Sequence, residues 1–206
     1  MTLGVAAYGA GAGGAVLSAW AAAETAGSGA IGGFVVFTVL TAAGPISIEC
    51  QRGGLIALHA QGIPDEMIHA PVAALITSGP DRPQPLTQFL AAGNSALVTG
   101  HRLPNLKGAN GIPVNIAALR RIERCTAPQD AVTQVCADNP TLDAGLIAVT
   151  RDGIGLAETA EVHKRGDRGQ TLIYGSGRAL ALLHNSIDPI AGFADLVARA
   201  GMSAFN

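Results

Sequence analysis

A short connection between two apolar segments constrains the fold of this chain more than any other feature. Residues 30–41 are rich in Val and Phe and predict a buried strand, and "AAGP" leads directly into "ISIECQ", a second predicted strand. Parallel neighbours need a long crossover between them, so these two strands must be antiparallel neighbours. A sheet that is mainly antiparallel is therefore expected.

The N-terminal segment carries the pattern Gly9-x-Gly11-x-x-Gly14 between a predicted strand and a predicted Ala-rich helix. This spacing is typical of Rossmann units, in which a carboxylate about 20 residues after the glycines holds the ribose of a dinucleotide. The predicted second strand contains no carboxylate, because Glu24 comes too early and Glu49 comes too late. Dinucleotide binding through the three glycines therefore stays a minor alternative, and no cofactor is expected.

Capping and turn signals predict several further elements. Thr126 and Gln129 have the spacing of a capping box at the start of a helix that Pro140 ends. The pair Asp152-Gly153 lies between apolar runs and predicts a tight hairpin turn. The other predicted elements are strands at residues 2–8, at 95–100 and at "TLIYGS", and helices at 14–26, at 64–77, from Pro113 to near Arg124, and within 189–200.

Charge is sparse along the chain. Only 14% of the 206 residues are charged and 49% are hydrophobic, and the mean hydropathy is +0.35. This length supports one domain, residues 1–206, with a substantial core. Apolar surface left outside that core favours a homo-oligomer. A net charge of −2 gives no electrostatic footprint for nucleic acid, which is not an expected partner.

The first 48 residues contain a single charged side chain, that of Glu24. A secretory signal needs a positively charged start, and the uncharged stretch after Glu24 is broken by several glycines and by Pro45, so buried strands are expected rather than a membrane span. The cysteines at positions 50, 125 and 136 form no CxxC pair. Free thiols in a reducing cytoplasm and no metal site are the expectation.

Residues 111–160 contain a helix with "AAL", a second helix with "AV..V.ADNP", and a hairpin with "GLIAV...G.GLAETA". These patterns resemble the core of an uncharacterised bacterial family of Ntn-hydrolase-like proteins, where Ntn stands for N-terminal nucleophile. The resemblance covers about a quarter of the chain well. It implies an α+β fold with a four-layer αββα-like arrangement, in which two stacked, mainly antiparallel sheets are flanked by helices.

The resemblance directs attention to Thr2. In Ntn hydrolases the first residue of the mature chain is the nucleophile, and its free α-amine is the base. By resemblance Thr2 takes this role after removal of Met1, which its small side chain permits. An amine titrating near pH 8 can accept the hydroxyl proton at neutral pH. If Met1 is retained, the amine is part of a peptide bond, and Thr2 is only the first residue of a buried strand.

A second candidate site lies in "VTGHRLPN", which combines the end of a predicted strand with the following loop. Strand ends and loops are where polar side chains converge on ligands. His101 has the chemistry of an acid or base, Arg102 that of a carboxylate binder, and Asn105 that of an oxyanion donor, with Thr99 in the same binding wall. The alternative is an ordinary solvated loop.

Three further features have two interpretations each. Glu24 lies either at an exposed helix end or beside the N-terminus, where it would orient that group. His184 follows an apolar run and is expected to be a structural residue. The segment "EVHKRGDRG", residues 161–169, predicts a solvated loop, with Arg168 among the cations that could instead line the entrance for an anionic substrate.

The residues and the family resemblance allow two functions from different classes. The first is hydrolysis of an amide bond in a small molecule or peptide. The second is a non-catalytic, oligomeric small-molecule-binding protein on the same fold, and the residues leave open which of the two applies. The candidate catalytic residues are Thr2, His101 and Asn105, and the candidate substrate-binding residues are Glu24, Thr99 and Arg102.

Overall fold

The computed structural model of the protein describes residues 2–27, 31–185 and 191–205, which contain ten strands and seven α-helices. The strands are β1 (Thr2–Tyr8), β2 (Phe34–Thr41), β3 (Gly44–Gln51), β4 (Val72–Ser78), β5 (Ala91–Ala92), β6 (Leu97–Arg102), β7 (Ala144–Val149), β8 (Ile154–Glu158), β9 (Arg168–Gly175) and β10 (Arg178–Asn185). The helices are α1 (Ala12–Ala26), α2 (Gly54–Ala60), α3 (Asp65–Ile68), α4 (Val114–Ile122), α5 (Pro128–Asp138), α6 (Ala160–His163) and α7 (Phe193–Ser203), with a 3-10 helix at Leu86–Phe89.

Two sheets lie face to face between two layers of helices. The first sheet has the strand order β3-β2-β4-β1-β10-β9 and the second has the order β5-β6-β7-β8. Every strand pair within them is antiparallel. Helices α1 and α7 pack on the outer face of the first sheet, and α4 and α5 pack on the outer face of the second. The predicted α+β fold with a four-layer αββα arrangement is confirmed.

The two predicted hairpins are confirmed. Strands β2 and β3 pair from Phe34 with Gln51 to Thr41 with Gly44, so only two residues connect them. Strands β7 and β8 pair up to Val149 and Ile154, with the predicted Asp-Gly pair in the turn. Both hairpins form because short turn residues separate apolar runs that share one buried face.

The predicted helix at residues 64–77 is wrong. The chain forms only the short helix α3 there and then enters β4, which runs between β1 and β2 in the middle of the first sheet. All seven residues of β4 are buried. A strand that is buried on both faces shows a continuous apolar run rather than alternation, and such a run cannot be told from a buried helix by periodicity.

The predicted capping box at Thr126 is also wrong. Ala127 occupies the N-cap position of α5, and Pro128 follows at the first helical position. The Gln129 side chain instead accepts a hydrogen bond from the Leu156 backbone N–H and donates one to the Leu156 carbonyl. It therefore joins α5 to β8 rather than closing the helix on itself.

The predicted strand, glycine turn and helix at the N-terminus are confirmed, but their surroundings are not those of a Rossmann unit. Strand β1 pairs with β4 and β10, and both neighbours are antiparallel, whereas a Rossmann unit needs parallel neighbours. The small residues there serve packing, since a Cβ on Gly13 would collide with the Met67 carbonyl oxygen. The dinucleotide alternative therefore loses its structural basis.

A pair of glycines brings the backbones of the two sheets into contact at the centre of the inter-sheet core. Large side chains such as Phe34, Ile76 and Ile147 fill most of the space between the sheets. At Gly4 of β1, however, the backbone of β6 approaches so closely that an added Cβ would overlap the Gly100 carbonyl group. This contact sets how near the two sheets lie at that point. Within the described ranges, none of the helices is both long and apolar enough to cross a membrane.

Gly4→Ala is expected to lower the free energy of unfolding by about 1–3 kcal/mol, because the methyl group forces β1 and β6 apart. Urea denaturation followed by circular dichroism measures this. Gly166 is the matched control, since it has open space around its Cα and a backbone outside the left-handed region. Gly166→Ala is expected to change stability by less than about 0.5 kcal/mol. Equal effects of the two substitutions would contradict the close packing of the sheets.

Candidate active site

A row of mainly polar side chains crosses the first sheet at the end where β1 begins. In-register neighbours in an antiparallel sheet share a face, and Phe34 of this row belongs to the inter-sheet core. The whole row therefore faces the second sheet. Thr2 stands near its centre and is 2% exposed. From β3 to β9 the row consists of Gln51, Phe34, Ser78, Thr2, Asn185 and Arg168.

The second sheet contributes a buried histidine and a buried carboxylate. His101 of β6, Gly145 of β7 and Glu158 of β8 are in register on three adjacent strands. Because Gly145 has no side chain, the His101 ring packs over it and approaches Glu158. The distance from His101 Nε2 to Glu158 Oε1 is 2.9 Å, and neither side chain is exposed.

Glu158 also joins the two sheets. Its Oε2 lies 2.5 Å from Nη1 of Arg168, which belongs to the polar row of the first sheet, and 3.9 Å from Nδ1 of His163. Burial acts to raise the pKa of Glu158, but the contact with His101 and the charges of Arg168 and His163 outweigh it, so the pKa lies below its usual range. Glu158 is therefore a carboxylate surrounded by basic side chains from both sheets.

The contacts along β6 place His101 toward the Thr2 end of β1. Thr99 donates a hydrogen bond of 2.9 Å to the carbonyl of Leu75, the residue in register with Val5. Gly100 then lies against Gly4. His101, one residue further along, continues this progression toward the first residue of β1. The buried hydroxyl of Thr99 therefore links the two sheets.

Arg102 and Asn105 are engaged by other side chains. Nε of Arg102 lies 2.9 and 2.8 Å from the two carboxylate oxygens of Asp143, and its Nη2 contacts the same group. Asn105 donates through Nδ2 to Oε1 of Gln88 at 2.8 Å. The bidentate geometry expected for Arg102 with a substrate carboxylate is thus present with an internal carboxylate.

Glu24 lies on the opposite face of the first sheet from His101. It sits near the end of α1 and accepts hydrogen bonds from the Leu55 backbone N–H. Burial raises the pKa of Glu24, and the Leu55 N–H opposes this shift. Glu24 borders a cleft of about 280 Å³ together with Gly32 and Gly54. The structure therefore does not bring Glu24 together with the inter-sheet residues.

Sequence reasoning missed three residues of this end of the sheets, namely Ser78, Glu158 and Asn185. Arg168 is expected either in a solvated loop or at the entrance for an anionic substrate, and the structure places it at the start of β9, paired with Glu158. One signal was available, because Glu158 continues the buried face of Ile154 in steps of two. A carboxylate on a buried face needs a cationic partner. No comparable signal marks Ser78 or Asn185, since cross-strand register alone brings them beside Thr2.

Metal chemistry receives no support from the part of the chain that the structure describes. Within it, no group of three or more His, Cys, Asp or Glu side chains is arranged to hold a metal ion. The cluster around Glu158 contains basic groups that already neutralise its charge. What the arrangement offers is a set of hydrogen-bonding side chains beside a buried ion cluster.

The family described as "Domain of unknown function (DUF6963)" matches residues 2–206, and the chain belongs to that family. A comparison with curated proteins finds no match. Among solved structures, the chain is similar to a glutamine phosphoribosylpyrophosphate (PRPP) amidotransferase from B. subtilis complexed with ADP and GMP, with a TM-score of 0.48 and 10% identity. The match covers 88% of this chain and 41% of that protein, so this chain spans less than half of its length.

Glu158→Gln is expected to lower the free energy of unfolding at pH 7 by about 3 kcal/mol, since it leaves Arg168 and the buried His101 without their carboxylate partner. Glu161→Gln is the control, because Glu161 forms an exposed pair with Lys164 and should contribute less than about 1 kcal/mol. Because the folded pKa of Glu158 is lowered, its stabilisation is present above the usual carboxylate range and is lost as the pH falls through the folded pKa. Urea denaturation at several pH values measures both effects, and a stability equal to the wild type would contradict the buried cluster.

His184 is expected to make the free energy of unfolding depend on pH independently of Glu158. Burial, together with the nearby His101, lowers the pKa of His184 from 6.5 to about 4, and the ring packs edge-on against Phe193. The unfolded chain therefore binds more protons between these values, so stability is fully present above pH 6.5 and falls by about 3 kcal/mol toward pH 4.

His184→Leu is expected to remove this slope between pH 6.5 and 4, as measured by urea denaturation at half-unit intervals. The exposed His59 provides the control, since His59→Leu should leave the slope in place. A wild-type slope in the His184→Leu variant would show that another group causes it.

Proposed function

We propose that the protein hydrolyses an amide bond in a small molecule or peptide, with Thr2 as an N-terminal nucleophile. The observation that supports this most is the position of Thr2. It begins a central strand of the αββα sandwich and faces the inter-sheet space within a row of polar side chains. The resemblance of residues 111–160 to Ntn-hydrolase-like proteins supports the same reaction class.

The proposed chemistry starts with removal of Met1, which frees the α-amine of Thr2. The amine accepts the hydroxyl proton while Oγ1 attacks the amide carbon, and the tetrahedral oxyanion then collapses with release of the protonated amine product. Water hydrolyses the resulting ester and regenerates Thr2. No cofactor or metal takes part in any of these steps.

Asn185 replaces Asn105 as the proposed amide side chain beside the nucleophile. Thr2 and Asn185 are direct cross-strand neighbours, so their Cα atoms lie about 5 Å apart. Ser78 flanks Thr2 on the other side and receives a contact of 3.3 Å from Nη2 of Arg82. Each donor directed at an oxyanion contributes about 3 kcal/mol to transition-state stabilisation.

His101 is proposed as a positioning residue rather than as a general acid or base. Its Nε2 contacts Glu158, which binds Arg168, the direct cross-strand neighbour of Asn185. Through these contacts His101 helps to fix the side of the polar row next to Thr2. Arg102 is correspondingly proposed to stabilise the start of β7 through Asp143 instead of holding substrate.

A non-catalytic, oligomeric small-molecule-binding protein is the second candidate. The burial of Thr2, which is 2% exposed, favours it, because a nucleophile must be reached by substrate. The homo-oligomer and the cytoplasmic location remain predictions from composition. Labelling of Thr2 distinguishes the two candidates.

The test is the intact mass of untagged protein before and after exposure to a β-lactone, which acylates activated hydroxyl groups. The expected result is a mass lacking one methionine and a single adduct that maps to Thr2. Thr2→Ala should abolish the adduct and Thr2→Ser should retain it. Thr25→Ala, at an exposed hydroxyl on α1, is the control that should label like the wild type.

The rate of labelling is expected to rise with pH through about pH 8, because only the neutral α-amine can accept the hydroxyl proton. A full-length mass without an adduct, or an adduct that persists in Thr2→Ala, would remove Thr2 as the nucleophile. In that case ligand-binding measurements on the second candidate take precedence.

A further inference from the structure

A cleft lined by three arginines lies on the outer face of the second sheet, remote from the inter-sheet residues. It has a volume of about 470 Å³ and is bounded by α4, by the C-terminal end of α5 and by the loop before α4. We call it the arginine cleft. Its polar lining consists of Asn110, Arg120, Arg121, Arg124, Asp138 and Asn139.

Positive side chains outnumber negative ones in the arginine cleft. Arg121 is held by Asp138 and Gln134, each at 2.6 Å. Arg120 and Arg124 are exposed, and neither forms an ion pair with any residue in the ranges 2–27, 31–185 and 191–205. Like charges four residues apart repel each other.

The concentration of arginines in this cleft contrasts with the sparse charge of the rest of the chain. The protein has 13 Lys and Arg residues in total and a net charge of −2, yet three arginines converge on one concave surface. Most of the other arginines for which contacts are described bind a carboxylate, as Arg52, Arg102 and Arg168 do. The cleft therefore has a positive potential that an anionic ligand would neutralise.

The charge of the cleft favours a phosphate group over a carboxylate, because a guanidinium matches the oxygen pairs of both groups equally well. A guanidinium presents paired donors that match the oxygen pairs of a phosphate, and a phosphate near neutral pH carries close to two negative charges. Two uncompensated arginines match that charge, with Arg121 fixed beside them by Asp138. The volume lies within the range of about 300–1,000 Å³ typical of small-molecule sites, and Ile112, Ala117 and Val135 supply an apolar wall.

We infer that the arginine cleft binds a small organic phosphate, with Arg120 and Arg124 as the ligands of the phosphate group. The apolar wall contacts the organic part of the same molecule. This site is independent of the proposed hydrolysis, because the second sheet separates α4 and α5 from the inter-sheet space that Thr2 faces.

The test is isothermal titration with phenyl phosphate as the probe, in the wild type, in the double variant Arg120→Gln/Arg124→Gln and in the control Arg199→Gln. Arg199 is an exposed arginine on α7. Saturable binding with one site per chain is expected in the wild type and in the control. The double variant should bind at least about tenfold more weakly, since charged hydrogen bonds are lost.

Two further readouts locate and classify the site. Amide NMR shifts caused by phenyl phosphate should cluster in residues 109–124 and 135–139. Inorganic phosphate and benzoate should bind more weakly than phenyl phosphate, because one lacks the organic part and the other lacks the second charge. The thermal melt of the double variant should match the wild type, since both side chains are exposed.

Several outcomes would overturn the inference. These are absence of saturable binding to the wild type, equal affinity in the double variant, an equal loss in Arg199→Gln, and shifts that lie outside the cleft. Benzoate that binds as tightly as phenyl phosphate would overturn the assignment of a phosphate ligand. None of these results depends on whether Thr2 is reactive.

Discussion

The buried carboxylate of Glu158 is the interaction on which the arrangement at the Thr2 end depends. Burying an isolated carboxylate costs several kcal/mol, and the attraction of neighbouring cations compensates this only when the geometry is good. Arg168 from the facing sheet supplies that geometry through its 2.5 Å contact with Oε2, and His101 from the same sheet lies 2.9 Å from Oε1. The ion cluster therefore fixes how the two sheets are placed relative to each other beside Asn185 and Thr2. Apolar side chains could not do this, because their contacts have no preferred direction.

Glycines make this cluster possible. Gly145 lies between His101 and Glu158 on the strand that separates them, and any side chain there would occupy the space of the imidazole. Gly4 and Gly100 bring the two sheets into backbone contact at the centre of the sandwich. Close packing and buried charge thus support each other, because the near approach of the sheets excludes water and strengthens the electrostatic contacts.

Local sequence predicted the elements whose signals are local. The hairpins β2–β3 and β7–β8 follow from turn residues between apolar runs, and the helix after Pro113 follows from the proline at its start. The helix expected at residues 64–77 failed because β4 is covered on both faces, which removes alternation from its sequence. In the site, polar spacing identified His101, but it could not identify Asn185 or Glu158, whose neighbours come from other strands.

By itself, the sequence determined an antiparallel α+β architecture, the position of Thr2 at the start of a strand, and the scarcity of charge that makes each buried ion significant. These properties depend on residues that are close together along the chain. Only the tertiary structure decided that Thr2 lies between Ser78 and Asn185, that Glu158 joins both sheets, and that three arginines share one cleft. Strand register and sheet stacking set these contacts, and the register is a cooperative result of packing one face of every strand at once.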